Sequence, residues 1–393
     1  MRQGVPGRYF RPVHIPGWAL PSFLAAALAV LAGQSPAFSA SEDELIKVRM
    51  EAAAPGKGIE ARDNAVRNAE REIVTQVLKA ATASEHFSAV QPILDNAPRY
   101  IRSTQLLRYE TMETETRVEI ESLVRRQEIL REAAALLLPR LAPPPSVLVL
   151  VAERTGGDQP FALAKGGVAE SAILEALRAA RLEVVDTGVI RACQSEPDLL
   201  NAVQGPTDAA AAFARQGFAD VVALGEITVT AEPEGTGSAV LKSKAKLVVR
   251  VFRARDGKCI DILSQEVLVH SKDPGEGGVA AIQDAYEKLA PDIVAASVMA
   301  VAGVPPSTDT VITVEQPGQR TRWDAFVNAL AEAGGGTEVE VLFYSDALAR
   351  LRVRYTGLMT PFLDRLTKRS YEGTGVEVVK ALQRVVTMRF VRP

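Results

Sequence analysis

The chain has 393 residues, of which 47% are hydrophobic, 24% charged and 5% aromatic, with a formal net charge of −3. Such a balance supports packed cores and excludes a disordered chain. The near-neutral charge and the scarcity of aromatic rings exclude a basic nucleic-acid footprint and base-stacking platforms, and three histidines leave little for a histidine-based metal site.

The first 40 residues read as an export signal. Arg2, Arg8 and Arg11 precede an apolar run, WALPSFLAAALAVLAG (18–33), and AFSA then meets the acidic SEDE. This three-part order predicts a cleavable secretory signal (1–40) with cleavage after Ala40, and hence a periplasmic protein. The apolar run is short for a membrane span, and no later run approaches eighteen apolar residues, so the mature chain is expected to carry no span. In an oxidising compartment Cys193 and Cys259 could form a disulfide, the alternative being two buried free thiols.

Two proline-marked links, LPRLAPPPS (138–146) and GVPPSTDT (303–310), divide the rest into 41–140, 144–303 and 308–393. The first unit opens with a strand, LIKVRMEAAA, and a helix over 59–81. In that helix Ala61, Ala65, Ala69, Ile73 and Val77 step by four along one face. The thin stripe predicts a backbone pressed closely against a sheet, a packing role. Strands in STQLLRYETM and TRVEIESLV follow; in the second, Val118, Ile120 and Val124 alternate with Arg117, Glu119 and Glu121. A helix, QEILREAAALLL, leads to the link. This is a small α+β unit.

The middle unit alternates strand 147–153, helix 168–181, strand 182–186, helix 208–218 and strand 219–230. A glycine-rich loop, EPEGTGS, a hairpin turning at Arg255-Asp256-Gly257 and a helix over about 277–301 complete it. The order predicts a mixed α/β sheet with a parallel core and helices on both faces. The last unit reads β-α-β-β-α-β, a ferredoxin-like split sandwich. The expected fold class is therefore multidomain α+β with an α/β middle.

Catalytic signatures are missing: the sequence holds no G-x-S-x-G, H-E-x-x-H or G-x-x-x-x-G-K-[ST]. The glycines of EGTGS lie between strands, outside a phosphate-cradling context, and read as a loop. Lys165-Gly166-Gly167 precedes a helix, where an anion could sit, but nothing else converges there. His86 and His270 read as solvated or capping, and the acids of ETMETETRVEIES as a solvated sheet face. No cofactor, metal or catalytic residue is expected. The residues that could line a cleft at the strand ends of the middle sheet are Glu153, Asp186 and Glu226.

The stretch Ala61-Arg62 with Ala65 and Ala69, followed by YIRSTQLLRYETMETETRVEIESLV, resembles the N-terminal domain of the bacterial flagellar assembly protein T family. The middle unit, through PSVLVLVAE, the helix before LEVVD and DAAAAFARQGFADVVALGEITVT, resembles that family's middle domain. That domain is itself similar to the N-terminal domain of TolB and to the curli secretion lipoprotein CsgG. The likeness spans roughly 42–302. The ferredoxin-like C-terminal unit departs from the small β-rich domain that ends the family. The resemblance implies a non-enzymatic periplasmic assembly protein near the outer membrane, ringing the flagellar basal body, with envelope or flagellar partners and a homo-oligomeric or ring state. The alternatives are an adaptor of another envelope or secretion complex and a small-ligand binder using the middle-unit cleft.

Overall fold

A computed structural model describes residues 45–155, 161–163, 167–234, 240–304, 309–332, 338–355, 359–382 and 385–391. The expected export signal, most of EPEGTGS, Lys165-Gly166 and part of the second proline link lie outside the described residues.

In the first unit, β1 (Leu45–Pro55) turns through Gly56 and Gly58, both at positive φ, into α1 (Ile59–Ala81). Short 3-10 turns flank α2 (Gln91–Asp95), and β2 (Ile101–Thr111), β3 (Glu115–Arg125) and α3 (Arg126–Leu137) follow. The strands form an antiparallel sheet in the order β1-β3-β2. Its inner face carries Val118, Ile120, Ser122 and Val124, all buried. On its outer face Glu121 receives Lys47 at 2.6 Å and Arg49 at 2.8 Å. α1 packs on β1 and β3 through Ala61, Ala65, Ala69 and Ile73, which are buried, with Val77 partly buried beside them. The alanines have the close-packing role that their spacing predicts: a side chain one methyl long lets helix and sheet approach.

The middle unit opens with β4 (Ser146–Thr155), the two-residue β5 (Ala162–Leu163), α4 (Val168–Ala179) and β6 (Glu183–Val184). Three short helices follow, α5 (Thr187–Cys193), α6 (Glu196–Gln204) and α7 (Thr207–Arg215). Long strands β7 (Val221–Pro233), β8 (Leu241–Arg253) and β9 (Lys258–Ser271) lead to α8 (Pro274–Ala302). The sheet order is β5-β4-β7-β8-β9, with β6 beside the start of β4; β4, β6 and β7 are parallel and the rest antiparallel. The strand expected over 182–186 shrinks to two residues because Asp186 turns to cap α5. The helix expected over 208–218 ends at Arg215. Gly217, at φ +69°, then sits where a Cβ would fall 2.6 Å from Leu342.

The pleat of β4 divides two cores. Val147, Val149 and Val151 join α4, α8 and the interior of the first unit in one continuous cluster. Leu148, Leu150 and Ala152 face α6 and α7 in a second. α3 packs on α8. Arg131 grips Asp292 through two hydrogen bonds, and Arg126 and Gln127 both donate to Asp261 of β9, at 3.0 and 3.2 Å. The proline link thus separates the units along the chain, while their apolar interiors merge.

The C-terminal unit comprises β10 (Thr310–Glu315), α9 (Arg320–Glu332), β11 (Glu338–Tyr344), β12 (Leu348–Arg354), α10 (Met359–Thr367), β13 (Gly375–Leu382) and β14 (Val385–Val391). Its sheet runs β11-β12-β10-β14-β13. It carries one strand more than the β-α-β-β-α-β pattern: the chain after α10 folds back as a hairpin, and β14 lies parallel to β10. Trp323, Phe326 and Phe362 fill its separate core. The fold is α+β, with three sheets among the described residues and an α/β middle.

Because Ala65 is fully buried against the sheet, Ala65→Leu is expected to destabilise the fold by about 1–3 kcal/mol. The exposed Arg67→Leu on the same helix should change stability by less than about 0.5 kcal/mol. Urea unfolding of the two variants checks the difference.

Candidate functional site

The three cleft candidates do not meet. Glu153 and Glu226 lie on adjacent parallel strands, but Ala152 is the register partner of Glu226 and Glu153 that of Ile227. A one-residue offset in a pleated pair sends the two carboxylates to opposite faces of the sheet. Asp186 is elsewhere again: its side chain accepts the Gly188 N–H at 2.8 Å and caps α5.

Glu153 extends the valine face of β4 to the N-terminus of α4, where its carboxyl accepts the Ala169 N–H. Its Oε1 is closed off from solvent and without a hydrogen-bond partner. Burial pushes its pKa above the ordinary glutamate value, and the neighbouring Glu170 adds to the rise. Glu170 is itself 3% exposed and accepts from Thr187 and Arg191, each at 3.1 Å. Burial raises its pKa too, against the pull of Arg191 and Thr187. Above the two acids lies Tyr286 of α8. Its hydroxyl is buried without a partner, and its pKa is driven well above the usual value by burial and then by both glutamates. This cluster can retain protons inside the fold: Glu153 Oε1 and the Tyr286 hydroxyl are closed to solvent, while Glu153 as a whole is half-buried.

On the opposite face, burial raises the pKa of Glu226, while Arg250 and Arg154 oppose the rise. Arg250 donates to the carbonyls of Gly205 at 3.0 Å and Ala202 at 3.2 Å, and also to that of Val203, so it closes the end of α6. Arg154 lies over the Phe161 ring at 4.5 Å.

A cavity of about 390 Å³ opens between α5–α7 and β11, with Cys193, Asp198, Asn201, Gln216 and Phe343 among its walls. Phe343 meets Phe218 at 5.0 Å, and Arg350 stacks on Phe218 from 5.5 Å. Burial pulls the Arg350 pKa down to about 10. Cys193 and Cys259 stand as free thiols, the second of the two alternatives that the sequence left open. Cys193 bonds with Ser345 across the seam, and Cys259 lies 3.6 Å from the Asp261 carbonyl. Burial raises the pKa of both.

The two histidines among the described residues face acids: His86 lies 3.6 Å from Glu85, and His270 lies 3.2 Å from Glu234. Among the described residues no group of three metal-ligating side chains converges, and no helix is long and apolar enough to cross a membrane.

The feature that sequence reasoning missed is an edge. β2 ends its sheet, and α1 covers β1 and β3 but leaves β2 largely bare. Leu106, Leu107 and Tyr109 are exposed along it, and Met112 just past its end. The signal was the pair Leu106-Leu107: adjacent apolar residues in a strand put apolar surface on both faces. β9, the edge of the middle sheet, likewise exposes Ile262 and Leu268.

Neither a protein-family model nor a curated protein matches this chain. Among solved structures it is similar to the protein CT253 of Chlamydia trachomatis, at 16% identity over 39% of this chain and 94% of that one, with a TM-score of 0.27. It is also similar to lipoprotein GNA1162 of Neisseria meningitidis, at 19% identity, 37% and 96% coverage and a TM-score of 0.25. A third is the C-terminal domain of LpoB from Salmonella enterica, at 16% identity, 36% and 93% coverage and a TM-score of 0.17. Likenesses at this level leave function to the chain's own surfaces.

Two outcomes are expected. A glutamate whose folded pKa lies above its unfolded value binds more protons when folded. Its contribution to stability is complete below the ordinary value of 4.5 and is lost as pH rises through the folded value. Glu153→Gln should therefore gain stability relative to wild type at pH 7, and the gap should narrow as pH falls toward 4.5; thermal unfolding across that range reads it. A thiol assay in denaturant without reductant should count two free thiols per chain, and none if the bridge forms.

Proposed function

We propose that this is a non-enzymatic protein of the bacterial cell envelope that works by binding other proteins. The carrying observation is the concentration of exposed apolar side chains on open sheet edges, above all Leu106, Leu107 and Tyr109 on β2, with Met112 just beyond its end. Soluble monomers blunt such edges, and an edge that stays apolar is a template for a partner. The separation of Glu153, Asp186 and Glu226, which do not converge, favours this reading over chemistry in a cleft. The charge and apolar order of residues 1–40 supports export to the periplasm.

The finer reading is assembly of the flagellar basal-body ring near the outer membrane, favoured by the motif order over 42–302. An adaptor of another envelope or secretion complex is the second reading, favoured by the C-terminal unit, which departs from the flagellar family.

The chain from Ser41, used as bait in envelope extracts of its native host and read by mass spectrometry, is expected to recover basal-body ring proteins. Recovery of secretion or outer-membrane components without any flagellar protein would replace the finer reading with the adaptor. A return at background level would overturn both.

A further inference from the structure

We infer that β2 pairs antiparallel with β2 of a second copy, across a two-fold axis at Tyr109, joining two three-stranded sheets into one of six. This names the partner for the edge described above and so rests on that reading.

Three observations select the partner and the register. First, β2 is the terminal strand of its sheet among the described residues, so its outer backbone groups are free to pair. Second, its bulges fall between Ile101 and Ser103 and between Leu106 and Arg108, which leaves two regular stretches, Ser103–Leu106 and Arg108–Thr111, and only the second carries charges of both signs. Third, the charges in that stretch are self-complementary. Arg108 and Glu110 lie opposite Glu119 and Arg117 of β3, on the polar outer face, two residues apart and mutually paired. An antiparallel pair centred on Tyr109 sets Arg108 of each copy opposite Glu110 of the other. Both ion pairs form at once, and no like charges meet within the stretch.

The same register serves the apolar face. Tyr109 aligns with Val118 and Leu106 with Ile120, so both project on the α1 side of the sheet. They are 44% and 42% exposed, because α1 lies over β1 and β3 instead. A two-fold axis perpendicular to the sheet keeps the helices of both copies on one side. Tyr109 then stands opposite its mate, and with Leu106 of each copy on the same side the apolar trough between the two α1 helices closes. A partner of different sequence would satisfy the backbone edge equally well, but the Arg108–Glu110 symmetry fits this chain in particular.

The test is sedimentation equilibrium of the chain from Ser41 at micromolar concentrations. The wild type is expected to dimerise. Glu110→Arg places arginines opposite one another twice and should weaken the dimer at least about tenfold. The double exchange Arg108→Glu with Glu110→Arg rebuilds the pairs with reversed polarity and should restore the dimer. Circular dichroism of each variant confirms folding, which these exposed positions should leave intact. A wild type that stays monomeric, a Glu110→Arg dimer as tight as the wild type, or a double exchange that fails to restore association would each overturn the proposal. The envelope pull-down is independent: a monomer that still captures ring or secretion proteins would sink the self-pairing and leave the assembly reading standing.

Discussion

The packing of α8 is the constraint on which the first two units depend. At 29 residues it is long; Ala281, Ala285, Leu289 and Ile293 are shielded, an exposed stripe runs through Val279, Gln283 and Glu287, and beyond Pro291 the helix is buried nearly all round. A helix of that kind must be covered on more than one side. Sheet strands β7, β8 and β9 lie on one side of it and α3 and α4 on others, so its apolar surface is satisfied only when first and middle units are both in place. Asp292 enters this interface with 7% exposure, and Arg131 meets it with two hydrogen bonds. A buried carboxylate without that partner would be a severe cost. The bond from the Ala83 N–H to the Ala302 carbonyl ties the far end of α8 to the end of α1.

That merger explains what could and could not be read from the sequence. Strand and helix positions in the first unit follow local rules, namely period two in β3 and steps of four in α1, and the structure has them where the periodicity places them. The run LAPPPS marks a stiff turn of the chain, but proline spacing carries no information on whether the flanking units share an interior. α5 and α6 escaped because each is under ten residues, too short for periodicity to speak. Their caps were nevertheless written in the chain: Asp186 opens α5, and Ser195, followed by Pro197 and Asp198, opens α6.

The candidate site was misread for a different reason. Glu153, Asp186 and Glu226 were each placed near a strand end; Glu153 and Asp186 are near one, whereas β7 runs on to Pro233 and leaves Glu226 in mid-strand. Whether two carboxylates on parallel strands converge depends on register to a single residue, and register is fixed by core packing and crossover length, which no local pattern encodes. The burial of Glu153 with Glu170 and Tyr286 was equally illegible, since Glu170 and Tyr286 come from helices far apart in the chain. The apolar edge was legible in principle. Leu106-Leu107 interrupts the alternation of β2, but a buried strand would show the same letters, and only the position of α1 decides which it is.

The geometry of the edges also bears on what kind of assembly this chain can enter. A two-fold contact through β2 is closed: it consumes the edge in both copies and cannot propagate. A ring requires a second, heterologous surface, and the fold retains separate ones. The β9 edge carries Ile262 and Leu268, and the C-terminal sheet exposes Val341 on β11, Val379 on β13 and Val385 on β14. These belong to different units from β2, and the shared core around α8 holds the β9 edge in fixed relation to it. Dimerisation through the first unit would therefore present two copies of every remaining edge with defined spacing, the arrangement in which weak contacts to a repeating partner gain from being made in pairs.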